Sequence, residues 1–205
     1  MSLHAANNDY IFPFNSPSYS NYGSVGLIQM PSARMQEEGT IAFNWIGNDP
    51  YTRGSILAYP FSWFEASYQY TDIDNALYSD FFAFSGDQTY KDKGFDFKIK
   101  AFNETQYLPS VAIGVRDAAG TGVFSSEYFV LSKYLGNFDL TFGLGWGNLS
   151  DNKTFRNPLG KFKESFYIRD SSLDVDTQGG EFSVDKFFKG DVGIFGGVQY
   201  FIPNA

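Results

Sequence analysis

Few side chains in this sequence could carry nucleophilic or acid–base chemistry. The chain has no cysteine and a single histidine, His4, near its start. A thiolate nucleophile, a disulfide framework and a cysteine-based metal site are therefore excluded, and in practice so are Ser-His catalysis and a multi-histidine metal site. Ser32, between a proline and an alanine, has no imidazole available to activate it. We therefore expect no catalytic residue, no metal site and no cofactor.

Six charged residues fall within or beside segments of alternating polarity, and they are the first candidate binding residues. One interpretation is a charged interior that binds or conducts a polar glycan. The other is a set of ion pairs that fills a narrow interior, because buried charges need partners. Arg34, with its fixed fork of donors, is suited to hold carbonyls or a carboxylate as a rim or plug contact. The six are Arg34, Glu65, Asp96, Lys98, Lys100 and Arg116.

Two of these carboxylates could be imagined as a glycosidase pair, Glu65 with Asp96. Sequence spacing does not establish their separation, and Lys98 or Arg116 nearby would neutralise them more simply. We therefore predict that the protein is not an enzyme.

Five aromatic residues in the polar segment 72–93 form a second candidate group. They alternate with short polar acceptors such as Asp80 and Ser85, a mixture typical of carbohydrate-binding surfaces. The same loop could instead fold inward and fill an interior. These residues are Tyr78, Phe81, Phe82, Phe84 and Tyr90.

The elements that position these residues are predicted to be β-strands. In segment 136–147 every second residue is apolar, and in segment 94–102 the charged Asp96, Lys98 and Lys100 lie opposite Phe95, Phe97 and Ile99. This period of two is the signature of a strand with two different faces. The strands are predicted at 22–30, 39–46, 53–59, 63–71, 94–102, 109–117, 126–134, 136–147 and 191–201, and the alternation is weaker at 161–169 and 180–187.

The composition indicates which solvent the strands meet. The 23 Phe, 14 Tyr, 3 Trp and 21 Gly favour β-structure, and the net charge of −8 argues against nucleic acid as a partner. No apolar run approaches the roughly 18 to 20 residues of a membrane-spanning helix. In segment 136–147 the polar face is small, while Trp63 and Trp146 stand at strand ends. Small inward residues and terminal aromatics are typical of a membrane barrel.

We therefore predict an all-β fold, an antiparallel transmembrane β-barrel of about ten to twelve strands. Residues 1–21 are predicted to form an irregular N-terminal arm, and residues 22–205 the barrel domain. Short turns are expected at one rim, and two long loops, 72–93 and 148–180, at the other. The apolar face of segment 136–147 is predicted to face lipid, with the residues Phe138, Leu140, Phe142, Leu144 and Trp146.

Several segments resemble the YjbH-like family of bacterial outer-membrane proteins, and they span nearly the whole chain from Tyr22 onward. The resemblance implies an outer-membrane β-barrel encoded with exopolysaccharide or capsule genes, and it is to the N-terminal barrel portion of longer members. The segments are 26–35 (GLIQMPSARM), 38–40 (EGT), 60–66 (PFSWFEA), 107–109 (YLP), 114–117 (GVRD), 120–122 (GTG), 124–128 (FSSEY), 143–147 (GLGWG) and 195–198 (FGGV).

The function that we expect is non-catalytic support of the export, assembly or surface retention of an exopolysaccharide at the bacterial outer membrane. The expected partners are outer-membrane lipid, a polysaccharide and other exopolysaccharide-secretion proteins. The alternatives are a general diffusion pore and a soluble carbohydrate-binding β-sandwich. The first residues lack the basic and apolar regions of a secretory signal. Ser2 and Leu3 read like an expression start, so we expect that a signal has been replaced.

Overall fold

The computed structural model describes residues 16–169 and 186–202. Most of the predicted arm, His4 and most of the segment 180–187 lie outside these residues. The main sheet consists of β3 (Ile41–Asn48), β4 (Tyr51–Phe61), β5 (Phe64–Leu77), β6 (Thr89–Phe102), β7 (Ser110–Arg116), β8 (Ser126–Leu135), β9 (Phe138–Gly147) and β10 (Gly193–Tyr200). The smaller elements are β1 (Gly26–Leu27), β2 (Met30–Pro31), the helical turn α1 (Phe82–Ser85) and 3-10 turns at Asn148–Ser150, Pro158–Lys161 and Glu164–Tyr167.

The eight strands β3 to β10 form one antiparallel sheet in which every strand pairs with its neighbours in the chain. The sheet is curled into a half-barrel, and within the described residues its two edges, β3 and β10, do not pair with each other. The predicted all-β antiparallel fold is confirmed. The sheet has eight strands rather than the ten to twelve predicted, and its closure into a transmembrane barrel is not shown.

Two predicted strands are wrong for local reasons. The segment 22–30 is broken by positive φ angles at Gly23 (85°) and Ile28 (50°), so only β1 forms there and pairs with β2 in a separate hairpin. The segment 161–169 contains 3-10 turns, the first of which has Pro158 in its opening turn and the Asn157 side chain as its N-cap.

The predicted long loop 72–93 is instead largely strand. β5 continues to Leu77 and β6 begins at Thr89, with Asp72 directly opposite Lys91 in the register. These two side chains form an ion pair, and such a cross-strand pair stabilises the polar ends of β5 and β6 beyond the apolar part of the sheet. The connection between β5 and β6 is therefore much shorter than the sequence indicates.

The two faces of the sheet have opposite polarity. The outer, convex face is apolar and exposed: Phe43 and Trp45 on β3 are 66% and 67% exposed, and Phe142 on β9 is 50% exposed. The inner, concave face carries buried charges, including Lys98 and Arg116. This arrangement is the reverse of that in a water-soluble sheet protein, where the charged face is the exposed one.

The concave face is covered by the N-terminal segment, residues 18–34, which we call the plug segment. It contains the β1–β2 hairpin. Two small apolar clusters anchor it, one formed by Val25 with Leu57 and Tyr59, the other by Ala33 with Ala112, Tyr128 and Val130. The part of the predicted arm that the structure describes thus begins this segment and lies against the sheet.

The connections differ in length at the two ends of the sheet. At one end β4–β5 and β8–β9 are joined by the two-residue turns 62–63 and 136–137, and β6–β7 by residues 103–109. At the other end β3–β4 are joined by residues 49–50, and the remaining connections, 78–88, 117–125 and 148–192, are longer. Exposed aromatic residues stand at the short-turn end: Phe61 stacks on Trp63 at 5.3 Å, and Phe138 packs against Tyr200 at 4.8 Å between ring centroids.

One predicted rim residue is placed differently. Trp146 shares the outward side of β9 with Phe138 and Phe142, but it is only 6% exposed because Phe188 covers it in an edge-to-face contact at 5.1 Å. The prediction that Trp146 faces lipid is wrong. Among the residues described, no helix is both long and apolar enough to cross a membrane.

Candidate functional site

Each of the eight strands of the sheet makes at least one hydrogen bond with the plug segment, and these contacts define the candidate site. The plug contributes backbone carbonyls, one backbone N–H and two side chains to these hydrogen bonds. Each partner on the sheet is a polar side chain that faces inward. The sheet partners are Asn44, Arg53, Gln69, Lys98, Ser110, Arg116, Ser132, Asp139 and Gln199.

At the centre of this interface lies a buried ion pair between neighbouring strands. Lys98 on β6 lies directly opposite Glu65 on β5, and its Nζ is 3.1 Å from the Glu65 carboxylate. The same ammonium donates to the Val25 carbonyl of the plug at 3.2 Å, while the Tyr59 hydroxyl donates to Glu65 at 2.8 Å. The side of the strand that alternation assigns to Lys98 is the inward one, and the pair with Glu65 agrees with the interpretation of the charged residues as ion pairs that fill the interior.

Arg34 fixes the C-terminal end of the plug. Its guanidinium makes two bonds to the Asp139 carboxylate, at 2.9 and 2.6 Å, and a third to Glu104 at 2.7 Å. The plane of the group lies 3.8 Å from the Tyr134 ring centroid. Burial by itself would lower the pKa of Arg34, but the bonds to Asp139 and Glu104 raise it. The interpretation of Arg34 as a plug contact that holds a carboxylate agrees with this geometry.

A second pair of arginines encloses one aromatic ring. The guanidinium groups of Arg53 and Arg116 lie 4.6 and 4.4 Å from the ring centroid of Tyr22. Arg116 also donates to the Gln29 carbonyl at 3.3 Å. Like charges so close together need aromatic faces and nearby carboxylates to compensate them. The guanidinium groups of both arginines therefore contact the plug segment and hold it against the sheet.

Those carboxylates are Asp92, Asp96 and Asp117, at the long-connection end of β6 and β7. The Asp117 backbone N–H donates to Asp96 at 2.8 Å, and the Asp117 carboxylate accepts from the Phe124 N–H at 3.3 Å. Burial, together with the negative charges of Asp92 and Asp96, raises the pKa of Asp117 to about 7. No group of three or more His, Cys, Asp or Glu suited to a metal ion occurs in the part of the chain that the structure describes.

The carboxylates of Glu65 and Asp96 both bind groups of the protein itself. Glu65 binds Lys98 and Tyr59, and Asp96 binds the Asp117 backbone. Lys100 shares the inward side of β6, is partly exposed and makes no ion pair with a described residue. Of the six charged candidates, Lys98 and Arg116 contact the plug and Arg34 belongs to it. Glu65 and Asp96 are buried on the same face of the sheet, and Lys100 is partly exposed on that face.

Residues 18–205 match the family described as exopolysaccharide biosynthesis protein YbjH. The chain belongs to this YjbH family. It is also 45% identical over 187 residues to a protein named uncharacterized lipoprotein YjbH from Escherichia coli (strain K12). That alignment covers 91% of this chain and 26% of the E. coli protein, so the chain spans about a quarter of the length of the relative it matches. No solved structure matches the chain.

The segment that carries the clearest resemblance to the YjbH family is the plug itself. Segment 26–35 includes both strands of the hairpin, Ala33 and Arg34, which the sheet holds from several sides. The segment 143–147 has another packing role, because a side chain at Gly143 would meet Phe195 and one at Gly145 would meet Leu149. The family segments thus coincide with contacts between the sheet and what covers it.

One ion pair in this YjbH-family fold was missed by the sequence analysis. Glu127 on β8 is fully buried, and Arg169, from the connection between β9 and β10, binds it at 2.7 and 3.0 Å. The Phe188 N–H donates to the same carboxylate at 2.8 Å. Glu127 lies directly opposite Trp146 on the outward side of the sheet, and Phe188 contacts both residues. The available signal was a glutamate on the apolar side of a strand, which requires a partner, but nothing in the spacing pointed to Arg169.

The aromatic candidates lie at the long-connection rim and do not fill the concave face. Phe81, Phe82 and Phe84 are 71–78% exposed, and Tyr78 lies 6.4 Å from both Phe84 and Tyr90 between ring centroids. The hypothesis that this loop folds inward as a plug is wrong, because the N-terminal segment occupies that space. The carbohydrate-binding interpretation of these rings stays a prediction.

Proposed function

We propose that the chain forms part of the wall of an outer-membrane β-barrel and supports, without catalysis, the export, assembly or surface retention of an exopolysaccharide. The observation that carries the membrane part is the reversed polarity of the sheet. Its outer face exposes Phe43, Trp45 and Phe142, while charged residues such as Lys98 are buried on the inner face. Lipid is the solvent in which an apolar exposed face is stable.

The rim aromatics support the same assignment. Phe61, Trp63, Phe138 and Tyr200 cluster at the short-turn end of the outer face. Tyrosine and tryptophan favour the level of the lipid headgroups, where one part of the ring is apolar and the other meets water. The E. coli relative is named a lipoprotein, and membrane association of that protein agrees with this orientation.

The free edges of the sheet indicate that further strands complete the wall. β3 and β10 contain no charged residue, proline or bulge, the usual protections of an edge exposed to water. In lipid an unpaired edge is not stable. Direct closure of β3 on β10 would give eight strands, whose interior has room for little beyond side chains. The plug segment occupies that interior, so we infer a barrel of more than eight strands.

The filled concave face favours a structural or assembly role over a general diffusion pore. The plug is held by side chains from all eight strands, and ion pairs such as Glu65–Lys98 hold the sheet beneath it. The contacts of Glu65 and Asp96 with the fold also favour a protein that is not an enzyme. The proposed partners are outer-membrane lipid, the polysaccharide and other exopolysaccharide-secretion proteins.

Detergent dependence tests the membrane assignment directly. The chain is refolded in lauryldimethylamine oxide, and its sedimentation and heat-modifiable electrophoretic mobility are compared with and without detergent. We expect a folded species that aggregates when detergent is removed. A monodisperse, folded protein in plain buffer would instead support the soluble carbohydrate-binding β-sandwich.

Two further measurements separate the membrane roles. In planar bilayers we expect no stable ion-conducting steps, whereas regular steps would support the diffusion pore. In a bacterial strain that secretes the exopolysaccharide, loss of the protein should lower the amount of secreted or retained polymer without changing its sugar composition. An altered composition would instead indicate a chemical role in synthesis.

A further inference from the structure

A cleft of about 710 Å³ opens at the long-connection end, between the plug hairpin, the start of β4 and the segment after β9. Its volume lies within the range of about 300 to 1,000 Å³ that is usual for small-ligand sites. The side chains that matter below are Tyr22, Gln29, Tyr51, Asn148, Asp151 and Phe195, all of which line it. None of them is among the candidate binding residues predicted from the sequence.

The aromatic wall of the cleft is held in place before any ligand binds. Tyr22 and Tyr51 each meet Phe124 edge to face, at 6.0 and 5.7 Å between ring centroids. Behind the rings, the Arg53 guanidinium lies 4.6 Å from the Tyr22 centroid and 4.5 Å from the Tyr51 centroid. These contacts fix the planes of both rings, so Tyr51 presents a flat apolar surface that loses little freedom on binding.

The polar groups of the cleft have hydrogen-bonding capacity to spare. The Tyr22 hydroxyl donates to Asn148 Oδ1 at 3.0 Å, which leaves the Asn148 amide group with no bond to a described residue. The side chains of Gln29 and Asp151 likewise make no hydrogen bond or ion pair with described residues. Amides offer both donors and acceptors, and a carboxylate offers acceptors.

The charges around the cleft favour a neutral ligand. The charged side chain that lines it is Asp151, and the two nearby cations, Arg53 and Arg116, lie against the ring of Tyr22. An anionic ligand would therefore meet a carboxylate first, in a chain of net charge −8. A neutral ligand with many hydroxyl groups would instead satisfy the free amide and carboxylate groups.

We propose that this cleft binds a short neutral segment of a saccharide chain, with sugar faces against Tyr51 and Phe195 and hydroxyl groups bonded to Gln29, Asn148 and Asp151. Flat apolar rings beside amide and carboxylate groups match the two surfaces of a pyranose, which has apolar C–H faces and a polar edge. The proposal rests on the proposed function, because it names the part of the chain that contacts the exopolysaccharide.

The test uses the refolded full chain in lauryldimethylamine oxide, a detergent without a sugar headgroup that could compete. Neutral tetrasaccharides of the cello, malto, laminari and manno series are the probes, and alginate tetramers are the anionic comparison. Binding is followed by saturation-transfer NMR and titration calorimetry. We expect at least one neutral probe to bind with a millimolar or lower Kd, and no alginate tetramer to bind more tightly.

The decisive variant is Gln29→Ala with Asp151→Ala, both at exposed positions, which should weaken binding at least tenfold. Its matched control is Gln106→Ala with Asp87→Ala, also exposed but outside the cleft, which should leave the Kd unchanged. No binding by any neutral probe, tighter binding of alginate, or an effect of the control variant equal to that of the cleft variant would each overturn the proposal. The detergent-dependence result is independent of these outcomes, so failure of the cleft leaves the membrane assignment standing.

Discussion

The two faces of the sheet teach different things about how this fold is determined. On the concave face, buried and partly buried polar side chains from all eight strands hold the plug segment through specific hydrogen bonds and ion pairs. On the convex face, apolar side chains such as Phe43 and Phe142 are exposed and cover nothing in the described residues. Buried hydrogen bonds and ion pairs are directional, so they favour one arrangement of the chain. The hydrophobic effect is not directional, so an exposed apolar face determines only which solvent the fold requires. The inner face thus specifies the fold, and the outer face specifies where the fold is stable.

The largest effect should come from breaking the ion pair at the centre of the concave face. Lys98→Met leaves the Glu65 carboxylate buried without its cation, so we expect a loss of about 3 to 5 kcal/mol in unfolding free energy. Urea titration in detergent measures it. The double variant Lys98→Met with Glu65→Gln should recover part of the loss, because neither charge then remains. Equal stability of the single variant and the wild type would show that the inner face does not depend on this pair.

The concave face should also respond to pH through Asp117. Its pKa in the folded state is about 7, above the value of 3.8 for an unperturbed aspartate. At pH values between these two the folded state binds more protons at this position. The contribution of Asp117 to stability is therefore greatest below about pH 4 and is lost as the pH rises through 7. The difference corresponds to at most about 4 kcal/mol.

Urea titrations of the wild type and of Asp117→Asn at several pH values between 4 and 8 measure this dependence. The asparagine variant should show a smaller decline with rising pH, because the side chain at position 117 then no longer titrates. A decline of the same size in both proteins would assign the effect to another group.

On the convex face, the expected effect depends on the solvent. Phe142→Arg places a cation on the outer side of β9, where we expect a loss of about 2 to 4 kcal/mol if the position lies near the bilayer midplane. Unfolding in lipid vesicles measures it. Phe142→Leu, which keeps the position apolar, is the matched control and should be close to the wild type. Wild-type stability of the arginine variant in vesicles would contradict lipid contact at this face.

The sequence predicted which side chains point to each face of the sheet better than it predicted which segments cover those faces. Alternation in segments 94–102 and 136–147 correctly placed Lys98 inward and Phe142 outward, because a period of two follows directly from strand geometry. The same parity placed Trp146 outward, yet Phe188, far along the chain, buries it. The alternation of residues along a strand predicts the face to which a side chain points. It does not predict whether a distant segment covers that side chain.

The plug shows a second limit. Its residues also read as a strand, since apolar and polar residues roughly alternate there, and the positive φ of Ile28 that turns the hairpin has no glycine at that position to indicate it. The contacts that hold it, such as Lys98 to Val25 and Ser132 to Ala33, join residues 73 and 99 positions apart. Sequence spacing could identify the charged residues, while their partners depended on the fold.

The smallest effect should come from a conservative change at the end of the plug. Arg34→Lys keeps the positive charge but cannot reproduce two bonds to Asp139 together with one to Glu104, because an ammonium lacks the planar fork of a guanidinium. We expect a loss of about 1 to 2 kcal/mol in unfolding free energy, measured by urea titration in detergent. The matched control is Arg156→Lys, at an exposed arginine that lies 3.7 Å from the Tyr167 ring centroid, where the change should stay within about 0.5 kcal/mol. If the two substitutions had equal effects, the bidentate geometry would not contribute to holding the plug, and the concave face would depend on charge alone.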